Sequence, residues 1–209
     1  DRVSESLKDA PSEEILGWAW NHLGPRVALG TAFGPTGLVL LDLARRHVPN
    51  LPVFTIDTGF LFDETLELKA RIEAHYGIEI ESIHPKQTVK DQAAAHGAKL
   101  YLHDPDRCCL LRKVRPLHRK LATLDGWITG LRRDQGGVRK DISILSPFPT
   151  AGDRIVAKVN PMADWTRKDV WDYILANDLP YNPLMDQGLP SIGCWPCTQR
   201  VGADADERA

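Results

Sequence analysis

At 209 residues, 43% of them apolar and 26% charged, the chain can bury one full hydrophobic core and needs no disulfide staples to fold. Its formal charge of -2 speaks against a general nucleic-acid coat, so basic runs are judged as local anion sites. The opening stretch 1–10 is polar with no apolar run, which predicts neither a secretory signal nor a membrane span; the expectation is a cytosolic protein, one domain over 1–209.

Ser12, followed by Glu13, Glu14 and the apolar Ile15, Leu16 and Trp18, predicts an N-capped first helix. Residues 27–33 read as a buried strand ending in the Gly-rich turn Thr31-Ala32-Phe33-Gly34-Pro35-Thr36-Gly37, and 38–46 as the helix after it. Pro52 opens a second strand over 53–57, closed by Thr58-Gly59, and 63–76 has helical periodicity with acidic residues in its first turn. Residues 78–83 alternate like a third strand. Another, 127–130, runs into a polar loop, and 156–159 makes one more before Asn160-Pro161. This alternation predicts an α/β fold, a mostly parallel twisted sheet with helices on both faces. Further on, Thr166-Arg167-Lys168-Asp169 has the spacing of a capping box, backed by Val170, Trp171, Ile174 and Leu175. The Pro- and Gly-rich stretch 179–196 also holds Ile192 and Trp195, so it reads as an ordered loop.

Ligands of such sheets collect at the carboxyl ends of the strands, where backbone amides and helix N-termini face outward. The turn from Thr31 to Gly37 suits close approach of a phosphate, though it reads equally as a plain strand-to-helix turn. Asp57 could accept from a ribose hydroxyl or simply close its own turn. Basic residues concentrate at Arg112-Lys113 with Arg115, and at Arg132-Arg133 with Arg139-Lys140. Either run alone fits a solvated face; beside a metal centre, the same residues suit a doubly anionic ligand. Gly136-Gly137 lets the Arg139 loop fold over such a ligand. All four cysteines fall in two close pairs, Cys108-Cys109 and Cys194-Trp195-Pro196-Cys197, enough for one four-thiolate site. Zinc and an iron-sulfur cluster both remain open, but adjacent cysteines turn awkwardly toward one small ion, and that leans toward the cluster.

On these residues the chain resembles the assimilatory sulfonucleotide reductases, in particular the bacterial cluster-containing adenylyl-sulfate (APS) reductases. Thr31-Ala32-Phe33-Gly34 resembles the family's modified pyrophosphatase-type loop, and Ile56-Asp57-Thr58-Gly59 its Leu-Asp-Thr-Gly element. Cys108-Cys109-Leu110-Leu111-Arg112-Lys113-Val114, the block from Trp127 to Gln135, and Ser191-Ile192-Gly193-Cys194-Trp195-Pro196-Cys197-Thr198 extend the match over nearly the whole chain. The paired cysteines favour APS over its 3'-phosphorylated form, PAPS, with dual use as the alternative. Ala32, Met185 and Leu189 depart from the Ser, His and Tyr common in the family.

The resemblance implies an adenine-nucleotide alpha-hydrolase-like, modified PP-loop fold and one [4Fe-4S] cluster on Cys108, Cys109, Cys194 and Cys197. It implies a phosphosulfate site of Lys113, Arg139 and Arg208, with Arg132 a further candidate. The nucleotide would lie on the turn bearing Thr31, Phe33 and Gly34, next to Asp57 and the backbone of Ile56 and Gly130. In the implied reaction a cysteine thiolate attacks the sulfur of APS, AMP leaves, and thioredoxin frees sulfite from the S-sulfocysteine. With every cysteine here assigned to the cluster, that nucleophile is expected beyond Ala209. No nucleic-acid or membrane partner is expected, and a homo-oligomer is left open. Two more distant readings are a PP-loop nucleotide pyrophosphatase, which would need a Ser-Gly-Gly type loop, and a zinc-stabilised nucleic-acid module.

Overall fold

The apolar run Val27-Ala28-Leu29 builds the central strand of the sheet and is buried on both sides. The computed structural model of the protein describes residues 2–150 and 154–200. In chain order the elements are α1 (Arg2–Ser6), α2 (Ser12–Leu23), β1 (Val27–Gly30), α3 (Pro35–His47), β2 (Val53–Ile56), α4 (Asp63–Tyr76) and β3 (Ile80–Ile83). They continue with α5 (Val89–His96), α6 (Leu100–His103), α7 (Pro105–Cys109), a π-helical turn (Leu110–Val114) and α8 (Arg115–Leu121). The chain then forms β4 (Gly126–Ile128), β5 (Leu145–Pro149), β6 (Ile155–Val159) and α9 (Arg167–Ala176).

The strands form one six-stranded sheet in the order β3-β2-β1-β4-β6-β5, parallel except for β5, which runs antiparallel along β6 at the edge. Side chains alternate between the two faces with the strand period of two. Val27, Leu29, Val53, Ile128 and Val159 point into the larger core, where α2, α3, α4 and α9 contribute Leu16, Leu40, Leu68 and Ile174. Ala28, Phe54 and Val156 point the other way, onto Leu121 of α8 and Leu124. Both faces are covered, as the alternating sequence pattern predicts.

Several boundaries differ from the sequence reading. Ser12 is not the N-cap of α2: Pro11 holds that position without a side-chain bond, while the Ser12 hydroxyl donates to Pro161 O at 2.8 Å and accepts from Trp165 Nε1 at 3.0 Å. The first strand stops at Gly30 rather than Phe33, because the Thr31 hydroxyl accepts from Phe33 N at 3.0 Å and Phe33 turns to φ 59°. α3 begins at Pro35, where the fixed φ of proline suits the first helical position. The capping box at Thr166 is present in full: its side chain accepts from Asp169 N, and the Asp169 side chain accepts from the Thr166 backbone.

Candidate active site

In this sheet the chain runs outward from β1 through β2 to β3, then crosses back to place β4 on the other side of β1. Such a reversal parts the connections above β1 and β4 and opens a crevice at their carboxyl ends. There a cavity of about 230 Å³ is lined by the turn after β1, by Gly130 and Arg132 after β4, and by Trp171 of α9. Thr31, Phe33 and Gly34 all belong to its lining. No side chain caps the first turn of α3 at Gly34, so the positive end of that helix dipole faces the same turn. Two glycines make the close packing possible: a Cβ on Gly37 would sit 2.6 Å from Thr31 Oγ1, and one on Gly130 would sit 3.3 Å from Gly37 N. Met185 and Ile192, from the loop before the second cysteine pair, close the far wall.

That loop is tied down where it meets the turn after β2. Leu61 and Cys194 form an isolated antiparallel bridge, and Trp195 N donates to Phe60 O at 2.8 Å. Cys197 N and Thr198 N both donate to Cys194 O, at 2.9 and 3.0 Å, folding the Cys194-to-Cys197 segment into a turn. Cys108 and Cys194 are buried with Phe60 and Leu100, whereas Cys109 and Cys197 are exposed. Burial first, and the neighbouring sulfurs among the further causes, push the thiols of Cys108 and Cys197 above the ordinary cysteine range; Arg112 and Lys113 pull the other way. Cys109 and Cys194 act on the Cys108 sulfur, and the other three cysteines act on that of Cys197, so both pairs share one locality. Among the described residues, no three His, Cys, Asp or Glu side chains are grouped closely enough to hold a single metal ion.

Hydrogen-bonding groups and a buried cation stand around these thiols. Thr58 Oγ1 lies 3.1 Å from Cys194 Sγ, and Gln92 Nε2 donates to Cys108 Sγ at 3.7 Å. Arg112 is 3% exposed, donates through Nε to Thr58 O and through Nη1 to Gln92 Oε1 at 3.2 Å, and stacks 5.1 Å from the Phe60 ring centre. Burial lowers its pKa, while Cys108 and Cys194 raise it. Cys108 and Cys109 are neighbours at the end of α7, so their side chains diverge by about 100°. Divergent thiols fit separate corners of a cluster better than one point ion. By donor type, by the burial of Cys108 and Cys194, and by nearby positive charge, the four cysteines fit an iron-sulfur group.

The remaining expected residues are spread around these two features. Lys113 Nζ would be 3.8 Å from a Cβ on Gly193, and it acts electrostatically on Cys197, so it stands at the cysteine loop. Arg139 does not line the crevice; its charge, together with burial as the larger cause, depresses the pKa of Lys158. Asp57 uses Oδ1 to accept from Gly59 N at 2.8 Å and places Oδ2 3.6 Å from His84 Nδ1, while Ile56 packs on the Phe54 side of the sheet. Arg208 falls outside the described residues. Lys158 was not anticipated: its Nζ lies 5.5 Å from the Trp127 ring centre and 5.8 Å from that of Phe148. A lysine inside the otherwise apolar run Ile155-Val156-Ala157-Lys158-Val159 was the available signal. Gln92 and Trp171 carried none, since each sits in an ordinary amphipathic stretch.

A crevice at the strand ends with a group of four cysteines beside it is the layout of an α/β protein that carries its site at the carboxyl edge of the sheet. Residues 26–200 match the phosphoadenosine phosphosulfate reductase domain, and the chain belongs to that family. It is 44% identical to an adenosine 5'-phosphosulfate reductase of Salinibacter ruber, over 90% of this chain and 73% of the relative. It is 41% identical to a phosphoadenosine 5'-phosphosulfate reductase of Gloeobacter violaceus, over 100% of this chain and 87% of that one. The crystal structure of phosphoadenylyl-sulfate reductase from Candida auris, a phosphate complex, superposes with a TM-score of 0.84 at 30% identity, covering 95% of both chains. The α/β, PP-loop-like fold expected from the sequence is thereby borne out. Among the described residues no helix is long and apolar enough to cross a membrane.

Proposed function

We propose that the protein reduces adenylyl sulfate to sulfite and AMP in assimilatory sulfate reduction and cysteine biosynthesis, in the cytoplasm, with thioredoxin as electron donor. The observation that carries this reading is the meeting of the β1–β4 crevice, faced by the start of α3, with four thiols and Lys113 at one edge of the sheet. The adenosine lies in the crevice, close to Gly34 and Gly130. Lys113, Arg139 and Arg208 hold the phosphosulfate, with Arg132 beside them.

In the first step a cysteine thiolate attacks the sulfonyl sulfur; an S–S bond forms, the S–O bond to the phosphate breaks, and AMP leaves with the electron pair. One thioredoxin thiolate then attacks the cysteine sulfur, sulfite departs, and the second thioredoxin thiol resolves the mixed disulfide, so thioredoxin supplies two electrons and releases two protons. An anion attacking an anion needs positive charge in place before the reaction, and Lys113 with the arginines supplies it. Cys108, Cys109, Cys194 and Cys197 would hold a [4Fe-4S] cluster, which would supply a fixed electrostatic centre, and Lys113 stands at the same cysteine loop. With those four residues holding the cluster, none of the four cysteines in 1–209 would be the attacking thiolate.

The relatives bear both substrate names, so PAPS is the second reading; the paired cysteines favour APS. The test uses anaerobically purified enzyme that includes the region after Ala209. Given reduced thioredoxin, it releases sulfite and AMP from APS; much faster turnover of PAPS would reassign the substrate, and no turnover of either would refute the proposal.

A further inference from the structure

Beyond β3, on the same carboxyl edge of the sheet, an open groove of about 780 Å³ runs between α5, α7 and α8. Lys86, Arg107, Arg112, Arg115 and Arg119 line it, and none of its lining residues is Asp or Glu. Some cations outside the groove are neutralised locally, as in Arg26–Asp125, Lys69–Glu73 and Arg133–Asp164. Lys86, Arg107 and Arg115 are exposed and make no ion pair among the described residues. In a chain of net charge -2, unneutralised positive charge gathered in one groove calls for an external anionic partner. Leu110, 41% exposed and directly after the exposed Cys109, gives the groove an apolar anchor. Its inner wall is shared with the thiols: Gln92 and Arg112 line the groove and also reach Cys108 Sγ and Thr58 O.

We propose that this groove is the docking surface for the acidic face of the protein reductant, an inference that rests on the reductase reading above. A polypeptide with carboxylates around an apolar contact matches both the charge and Leu110. Single-stranded nucleic acid matches less well, because no Phe, Tyr or Trp lines the groove to stack a base. Docking here brings the reductant to the edge of the sheet that carries the cysteine loop, and long-range attraction speeds encounter.

The test compares full-length wild-type enzyme with the variant K86E/R115E, using reduced thioredoxin as the varied substrate. KM for thioredoxin rises about tenfold or more and loses its dependence on salt, while KM for APS and turnover driven by a small dithiol stay within about twofold. Binding of a thioredoxin variant lacking its resolving cysteine, measured by calorimetry, weakens in parallel. An unchanged KM and unchanged affinity would overturn the docking surface, as would groove-dependent binding of a single-stranded DNA oligonucleotide with thioredoxin affinity untouched. No sulfite from wild type with either reductant would overturn the reductase reading instead, while the calorimetric comparison still decides the surface.

Discussion

Replacing Gly37 by Ala tests whether the turn after β1 is shaped for a nucleotide. The new Cβ would lie 2.6 Å from Thr31 Oγ1, so the hydroxyl must retreat by most of an ångström or rotate away. Either motion breaks the 3.0 Å bond it accepts from Phe33 N, the bond that holds Phe33 at φ 59°. Losing it costs about 1 kcal/mol, and alanine in the first turn of a helix returns up to about 1 kcal/mol over glycine. Global stability is therefore nearly unchanged, within about 4 °C in Tm. The turn itself is displaced, and AMP affinity falls about tenfold, equivalent to about 1.4 kcal/mol. Thr31→Ala removes the same bond without a clash and lowers affinity to a similar degree. The double variant should then bind AMP no worse than Thr31→Ala alone, since both changes disrupt one contact. Calorimetric titration with AMP, alongside thermal unfolding, measures all four corners of the cycle. Strictly additive losses, or full affinity in Gly37→Ala, would refute the reasoning.

Air-free protein should be brown, with about four irons and four acid-labile sulfides per chain, and Cys109→Ser should lose most of both; a colourless protein holding one zinc would remove the cluster. Lys113→Ala should lower kcat/KM for APS by roughly tenfold or more with iron content unchanged, and an unaltered rate would take Lys113 out of the anion site. Burial, followed by the hydrogen bond to Asp42, pushes the Tyr173 phenol up to about 12, and Tyr76 is raised by the same causes. A folded pKa above the unfolded one means that this stability is intact below about pH 10 and is lost as pH climbs through the folded value. Ultraviolet titration against Tyr173→Phe should show a late phenolate that moves to lower pH in Asp42→Asn; if the phenolate lost in Tyr173→Phe is one that ionises near pH 10, the reasoning is contradicted.

How far the sequence reached depended on the range of the interactions involved. α4, with its acidic first turn, and α9, with its Thr166–Asp169 box, carry their boundaries in local chemistry, and both were legible. β5 was not, because Pro147 and Pro149 break the strand signature; they are tolerated where a strand lies at the sheet edge, and that place is set by pairing with β6. Ser12 likewise looks like a cap until Pro161 and Trp165 arrive from 149 and 153 residues away. The same divide runs through the site. The turn from Thr31 to Gly37 and the cysteine pairs are short-range patterns, and the spacing of adjacent cysteines already hinted at their divergence on α7. The contacts of Arg112 with Thr58 and Gln92 span 54 and 20 residues, and those of Lys158 cross three strands, so no window along the chain contains them. Arg112 was visible only as one member of a basic run, the pattern most often found on a solvated face. Its burial at 3% exposure becomes intelligible once two sulfurs and the Phe60 ring surround it, which turns a guanidinium that would be costly to bury alone into part of the wall behind the thiols.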